Sequence, residues 1–104
     1  AELELVMPPG WSQFGVMARG AENDGVFPEF EIWINGEFIG NYRIESVNDI
    51  PYTCEFYALR GVNRVRIVYK NNAPRNTDDI SSVQLYLGRS MARPIFWPFE
   101  IRWH

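Results

Sequence analysis

Glu29-Phe30-Glu31-Ile32-Trp33-Ile34-Asn35-Gly36-Glu37-Phe38-Ile39-Gly40 is the stretch on which the fold turns. Side chains of an extended chain alternate between two faces, so Phe30, Ile32 and Ile34 share one side while Glu29, Glu31 and Trp33 share the other. A half-buried strand is the reading. Asn35-Gly36 follows at once, and both residues of a two-residue hairpin turn must tolerate positive φ, which Asn and Gly do at least cost. The chain then resumes as Glu37 to Ile44, the returning arm.

Outward from this hairpin the same period recurs. Tyr52 to Ala58 and Arg64 to Lys70 read as a second pair of strands joined through Leu59 to Asn63, with Val65, Ile67 and Tyr69 on one face and Arg64, Arg66 and Lys70 on the other. Val83, Leu85 and Leu87 mark another strand. Gln13 to Arg19 reads as one more after the turn-like Pro8-Pro9-Gly10, and Glu2 to Val6 is expected to pair at a sheet edge. Ile95 to Trp103 is aromatic and extended, but Pro94 and Pro98 confine it to an edge or a loop, because proline cannot donate to a ladder. No segment sustains helical apolar spacing over ten residues. Seven or eight short strands with frequent turns predict an all-β chain, an antiparallel sandwich of jelly-roll type. The expected core is Phe30, Ile32, Ile34, Val65, Ile67, Leu85 and Leu87.

Length agrees with one domain over residues 1–104, and 104 residues suffice for a single core. Cys54 is the only cysteine, so no intrachain disulfide forms, and an apolar neighbourhood suits it to burial. Ten Lys and Arg stand against thirteen Asp and Glu, scattered without a basic stripe, which argues against nucleic acid as a partner. No apolar run approaches the roughly 20 residues of a spanning helix. His104, the sole histidine, is the terminal residue, a poor place to hold an imidazole for nucleophilic catalysis. No acid pair is singled out for glycoside hydrolysis. The expectation is a chain that is not an enzyme.

Two features carry chemistry. Asn71-Asn72-Ala73-Pro74-Arg75-Asn76-Thr77-Asp78-Asp79-Ile80 joins two strands and is longer and more polar than a minimal hairpin. Its amide and carboxylate oxygens are the hard donors that calcium takes at six to eight coordination, although the same composition also suits a solvated turn. Aromatics make up 15% of the chain. Trp11 after Pro-Pro-Gly, Phe27 before Pro28, Trp33 on the polar side of its strand and Trp97 before Pro98 are rings on which the C–H face of a sugar can stack. Loop positions favour Trp11, Phe27 and Trp97. Glu22-Asn23-Asp24-Gly25 reads as a turn.

Val16-Met17-Ala18-Arg19-Gly20, Pro28, Phe30 through Gly40, Tyr52-Thr53, Val65-Arg66-Ile67-Val68-Tyr69-Lys70-Asn71-Asn72, and Asp78-Asp79 before a last strand together resemble the calcium-dependent xylan-binding modules, carbohydrate-binding module families 36 and 60 and their relatives. The likeness covers about residues 13–88, and Arg89 to His104 form a C-terminal aromatic extension outside it. The resemblance implies a jelly-roll sandwich whose loop-held calcium is part of the sugar site, with vicinal hydroxyls completing its shell. It implies a non-catalytic module that binds a plant polysaccharide such as xylan, appended to a glycoside hydrolase and secreted or held at the cell surface. The family's Asn-Asp falls on Asn71 and Asn72, and its later Asp on Asp78 or Asp79. Asn72 in place of Asp removes one negative charge, which the doubled Asp78-Asp79 can restore. The alternative, of a different class, is a structural or protein-docking sandwich that uses its C-terminal aromatic segment.

Overall fold

The computed structural model describes residues 2–20, 25–70, 80–88 and 100–103, with side chains given for most of these. Eight strands occur among the described residues: β1 (Glu2–Met7), β2 (Gly10–Ala18), β3 (Glu29–Ile34), β4 (Glu37–Arg43), β5 (Ile50–Ala58), β6 (Gly61–Tyr69), β7 (Ile80–Leu87) and β8 (Glu100–Trp103). No helix occurs among the described residues. All pairings are antiparallel, in a five-stranded sheet of order β4-β3-β6-β1-β8 and a three-stranded sheet of order β5-β2-β7.

The two sheets share one core. From the larger come Leu3, Leu5, Phe30, Ile32, Ile34, Val65 and Ile67, and from the smaller Phe14, Val16, Ala18, Cys54, Phe56, Ala58 and Leu85, all buried. This is a β-sandwich-like arrangement, and the period-2 alternation that places one face of each strand inward is the reason for it. Six of the seven expected core residues are buried, Glu29 and Glu31 face outward, and the side chain of Leu87 lies outside the described set. Cys54 is buried as expected.

The Asn35-Gly36 hairpin forms as read, with φ of 54° at Asn35 and 80° at Gly36. Its returning arm does not keep strict alternation. Ile32 pairs with Gly40 but Trp33 pairs with Phe38, leaving Ile39 as an extra residue on β4. Such a bulge reverses the facing of everything beyond it. Phe38 therefore lies outside against Trp33, whereas Tyr42, four residues on, turns inward and stacks on Phe30.

Three expectations need correction. Glu2 to Val6 was expected at an edge, yet β1 lies inside the larger sheet between β6 and β8, because Leu3, Leu5 and Met7 supply a fully buried face and β8 takes the edge. The β5–β6 connection is shorter than Leu59 to Asn63, since β6 already begins at Gly61 (φ 92°). Strand β2 begins at Gly10, so Trp11 is a strand residue and not a loop residue. Pro51 sits in β5, which is an edge strand, as proline requires.

Between β4 and β5, burial pushes the Cys54 thiol up to about 11 and the neighbouring Tyr42 hydroxyl up to about 12. The folded chain thus holds both protons more tightly than the unfolded chain, for which the ordinary values are about 8.5 and 10. Their contribution to stability is full below those ordinary values and is lost as pH climbs from about 9 through about 12. Denaturation midpoints measured between pH 7 and 11 are expected to fall above pH 9, and Cys54→Val should flatten the part below pH 11. A midpoint that stays level across this range would contradict the assignment.

Candidate functional site

Strand pairing places Phe27 and Trp11, the two candidate site residues among those described, at opposite ends of the sandwich. At one end lie Ala18, Ile50 and Ile80 of the smaller sheet, together with Glu29, Arg43 and Tyr69 of the larger. Backbone bonds tie this end together: Gly20 N–H donates to Ser46 O (2.8 Å), Ile44 N–H to Pro28 O (2.8 Å) and Lys70 N–H to Glu29 O (3.0 Å). β6 of the larger sheet ends here at Tyr69, and β7 of the smaller sheet begins here at Ile80. Phe27 is at this end too, half-buried, with the Arg43 guanidinium 4.6 Å from its ring centroid. That is cation–π range.

Trp11 stands at the opposite end. It lies seven residues from Ala18 along β2, roughly 23 Å at about 3.3 Å per residue. Its ring meets Tyr57, its neighbour on β5, edge-on at 5.6 Å and 87°. Both are well exposed, at 44% and 58%. One sugar ring therefore cannot touch Trp11 and Phe27 at once. The expected calcium ligands Asn71, Asn72, Asp78 and Asp79, and the expected platform Trp97, lie outside the described residues. Asn23 and Asp24 do as well, and Gly25 next to them has the positive φ of a turn, 80°. Among the described residues no three of His, Cys, Asp and Glu gather to hold a metal.

A third location appears on the outer face of the larger sheet. A groove of about 450 Å³ is lined by Glu2 and Glu4 of β1, Trp33 of β3, Gly36 of the turn, and Arg64 and Arg66 of β6. Registry brings them together, with Glu2 opposite Arg66, Glu4 opposite Arg64, and Trp33 on the other side of Arg66. The Trp33 indole N–H donates to Glu31 Oε1 at 3.1 Å, and Glu31 Oε2 meets Lys70 Nζ at 3.4 Å. That indole donor, with Lys70 and Arg66, holds the Glu31 carboxyl below the usual carboxylate range. Phe38 closes edge-on against Trp33 at 5.5 Å and 68°.

In the sequence Trp33 is a ring on the polar face of its strand, and loop positions are favoured over it as platforms. The charges that surround it come from strands some sixty positions apart, and no local pattern announces their meeting. No family model matches the chain, and no curated protein or solved structure matches it either.

Proposed function

We propose that the chain is a non-catalytic carbohydrate-binding module, a jelly roll that takes plant polysaccharide such as xylan at a calcium ion held by the segment 71–79. The observation that supports this reading is that β6 ends at Tyr69 and β7 begins at Ile80 at the end of the sandwich where Phe27 lies. Asn71, Asn72, Asp78 and Asp79 are the donors, and two carboxylates with two amides form a set that suits calcium. Calcium there leaves coordination positions for a vicinal diol, and Phe27 offers a ring beside it. The nested pairing of β1 with β8, β2 with β7 and β3 with β6 supports the jelly roll, being the order left when a long two-stranded ribbon is rolled up. Such a module works outside the cell, attached to a polysaccharide-degrading enzyme. Purified chain is expected to release no reducing sugar from xylan.

Calcium titrated into chelator-treated protein should raise its melting temperature, since a ligand that prefers the folded state stabilises it by about 2.7 kcal/mol at a hundredfold excess over Kd. Replacing Asp78 and Asp79 together by alanine should remove that rise and the retention by xylan, with the β-rich circular dichroism unchanged. Xylan retention that survives both this double substitution and a chelator would refute calcium's role.

A second reading, a structural or protein-docking domain, draws on the opposite end. There Trp11, Tyr57, Leu59 and Val62 are all exposed, the last two at 53% and 45%, around the β5–β6 turn. Failure of both calcium and glycans to bind the wild type would favour it.

A further inference from the structure

We propose that the outer face of the three-stranded sheet holds a saccharide site of its own, independent of calcium, which takes a neutral sugar through the side-chain amides of Gln13 and Gln84. The inference rests on the reading of the chain as a saccharide binder, but not on the segment 71–79.

Pairing fixes which groups meet there. Phe14, Val16 and Leu85 point into the core, so the alternate residues Gln13 and Gly15 of β2 and Gln84 and Tyr86 of β7 share the opposite face. Tyr86 stands directly across from Gln13, and Gln84 directly across from Gly15. Gln13 and Gln84 are therefore diagonal neighbours, with Cβ atoms about 7–8 Å apart by ladder geometry. Tyr57 of β5 lies on the same face one step further along, well exposed and braced edge-on by Trp11.

The deepest polar group of this face has no protein partner. Gln13 is only 8% exposed, yet nothing among the described residues bonds its side-chain amide. The Tyr52 hydroxyl alone among them is both sealed from solvent and unbonded, so the Gln13 amide still opens to solvent. Polar side chains held this deep are ordinarily bonded within the protein. One that is not presents two donors and an acceptor to whatever settles above it.

Gly15 brings a second amide to the same place. A Cβ there would stand 3.2 Å from Gln84 Oε1 and 3.3 Å from Thr53 Cγ2. The Gln84 amide thus lies close over β2, in space that a side chain at position 15 would need. It too has no hydrogen bond among the described residues, so two unused amides face outward over one strand.

These groups select the ligand. Each amide is uncharged and offers donor and acceptor together, as a sugar hydroxyl does, and a ring bearing several hydroxyls can meet both. Tyr57 and Tyr86 supply flat apolar faces for its C–H side. Glu55, opposite Gln13 on β5, has a partner of its own.

The test uses the full chain in excess EGTA, with xylotetraose and cellotetraose as probes and N-acetyl-tetra-alanine amide as a peptide control. Two-dimensional ¹⁵N NMR reads the side-chain amides of Gln13 and Gln84 and the backbone amide of Gly15. Millimolar saccharide is expected to shift these signals, in the wild type and equally in the Asp78→Ala/Asp79→Ala variant. Gln13→Met should weaken binding about tenfold, the effect of losing one or two hydrogen bonds, without lowering the melting temperature, because the lost amide bonds nothing in the fold. Gly15→Ala displaces the Gln84 amide and should weaken binding several-fold. Unmoved signals in EGTA would overturn the proposal, as would full binding by Gln13→Met, a clear fall in its melting temperature, or shifts brought by the peptide and by neither saccharide. Saccharide binding that needs calcium and leaves Gln13 unmoved would remove this site alone, whereas no saccharide binding under any condition would remove the broader reading with it.

Discussion

Phe30→Ala is expected to cost about 3–5 kcal/mol of folding stability, the range for deleting a fully buried phenylalanine. Phe30 has no exposed surface. Its ring stacks on Tyr42 at 5.4 Å and 25° and meets Tyr52 edge-on at 5.8 Å and 80°, so three aromatic rings from β3, β4 and β5 join the two sheets at this point. Alanine would leave a cavity that β-strands fixed by ladder bonds on both sides cannot close. It would also remove the partner of Tyr42, whose hydroxyl donates to Thr53 O at 3.0 Å and so bridges from β4 to β5. Phe30→Leu keeps most of the volume and should cost less, about 1.5 kcal/mol or under if the neighbours repack. Urea unfolding followed by tryptophan fluorescence measures both, and a loss below about 1.5 kcal/mol for alanine would mean that this aromatic bridge does not hold the sheets together.

The second large effect falls on a polar residue. Asn63 is buried completely, and its amide is fully used: Oδ1 accepts from Leu59 N–H at 2.7 Å and from Asn35 Nδ2 at 2.9 Å, while Nδ2 donates to Leu59 O at 2.9 Å and Gly61 O at 3.3 Å. It thereby ties the β5–β6 turn to the β3–β4 hairpin. Asn63→Ala would leave several of these groups without partners, at about 1–3 kcal/mol for each that stays buried. A net loss of about 2–4 kcal/mol is expected, lowering the melting temperature by roughly 10–25 °C for a domain of this size. Asn63→Asp should do no better, because it keeps the acceptor, loses both donors and buries a charge. A change under about 1 kcal/mol in Asn63→Ala would mean that water replaces the amide and that the node is not structural.

These two residues differ in how far they could be read from the chain. Phe30 was legible, since its alternation with Ile32 and Ile34 and the Asn35-Gly36 turn are properties of a dozen consecutive residues. Asn63 was read as part of a loop, and nothing in Leu59-Arg60-Gly61-Val62-Asn63 says that its amide will meet Asn35, twenty-eight positions away. The candidate sites divide in the same manner. The oxygen-rich run from Asn71 to Asp79 is a compositional signal. The separation of Trp11 from Phe27, and the meeting of Glu2 and Glu4 with Arg64 and Arg66, are consequences of pairing.

Alternation by itself determined an all-β chain, its turns and most of its inward faces, because side-chain direction in a strand is set by each residue's immediate neighbours. It did not determine which strand lies beside which. β1 has the pattern of any half-buried strand, and only the presence of β6 on one side and β8 on the other makes it interior. Nor did alternation foresee the extra residue at Ile39, which sends Phe38 out to Trp33 and Tyr42 in to Phe30 although parity would put both on one face. A bulge is decided by the fit of one strand against its partner and against the opposing sheet, a balance of contacts made only once distant parts of the chain have come together.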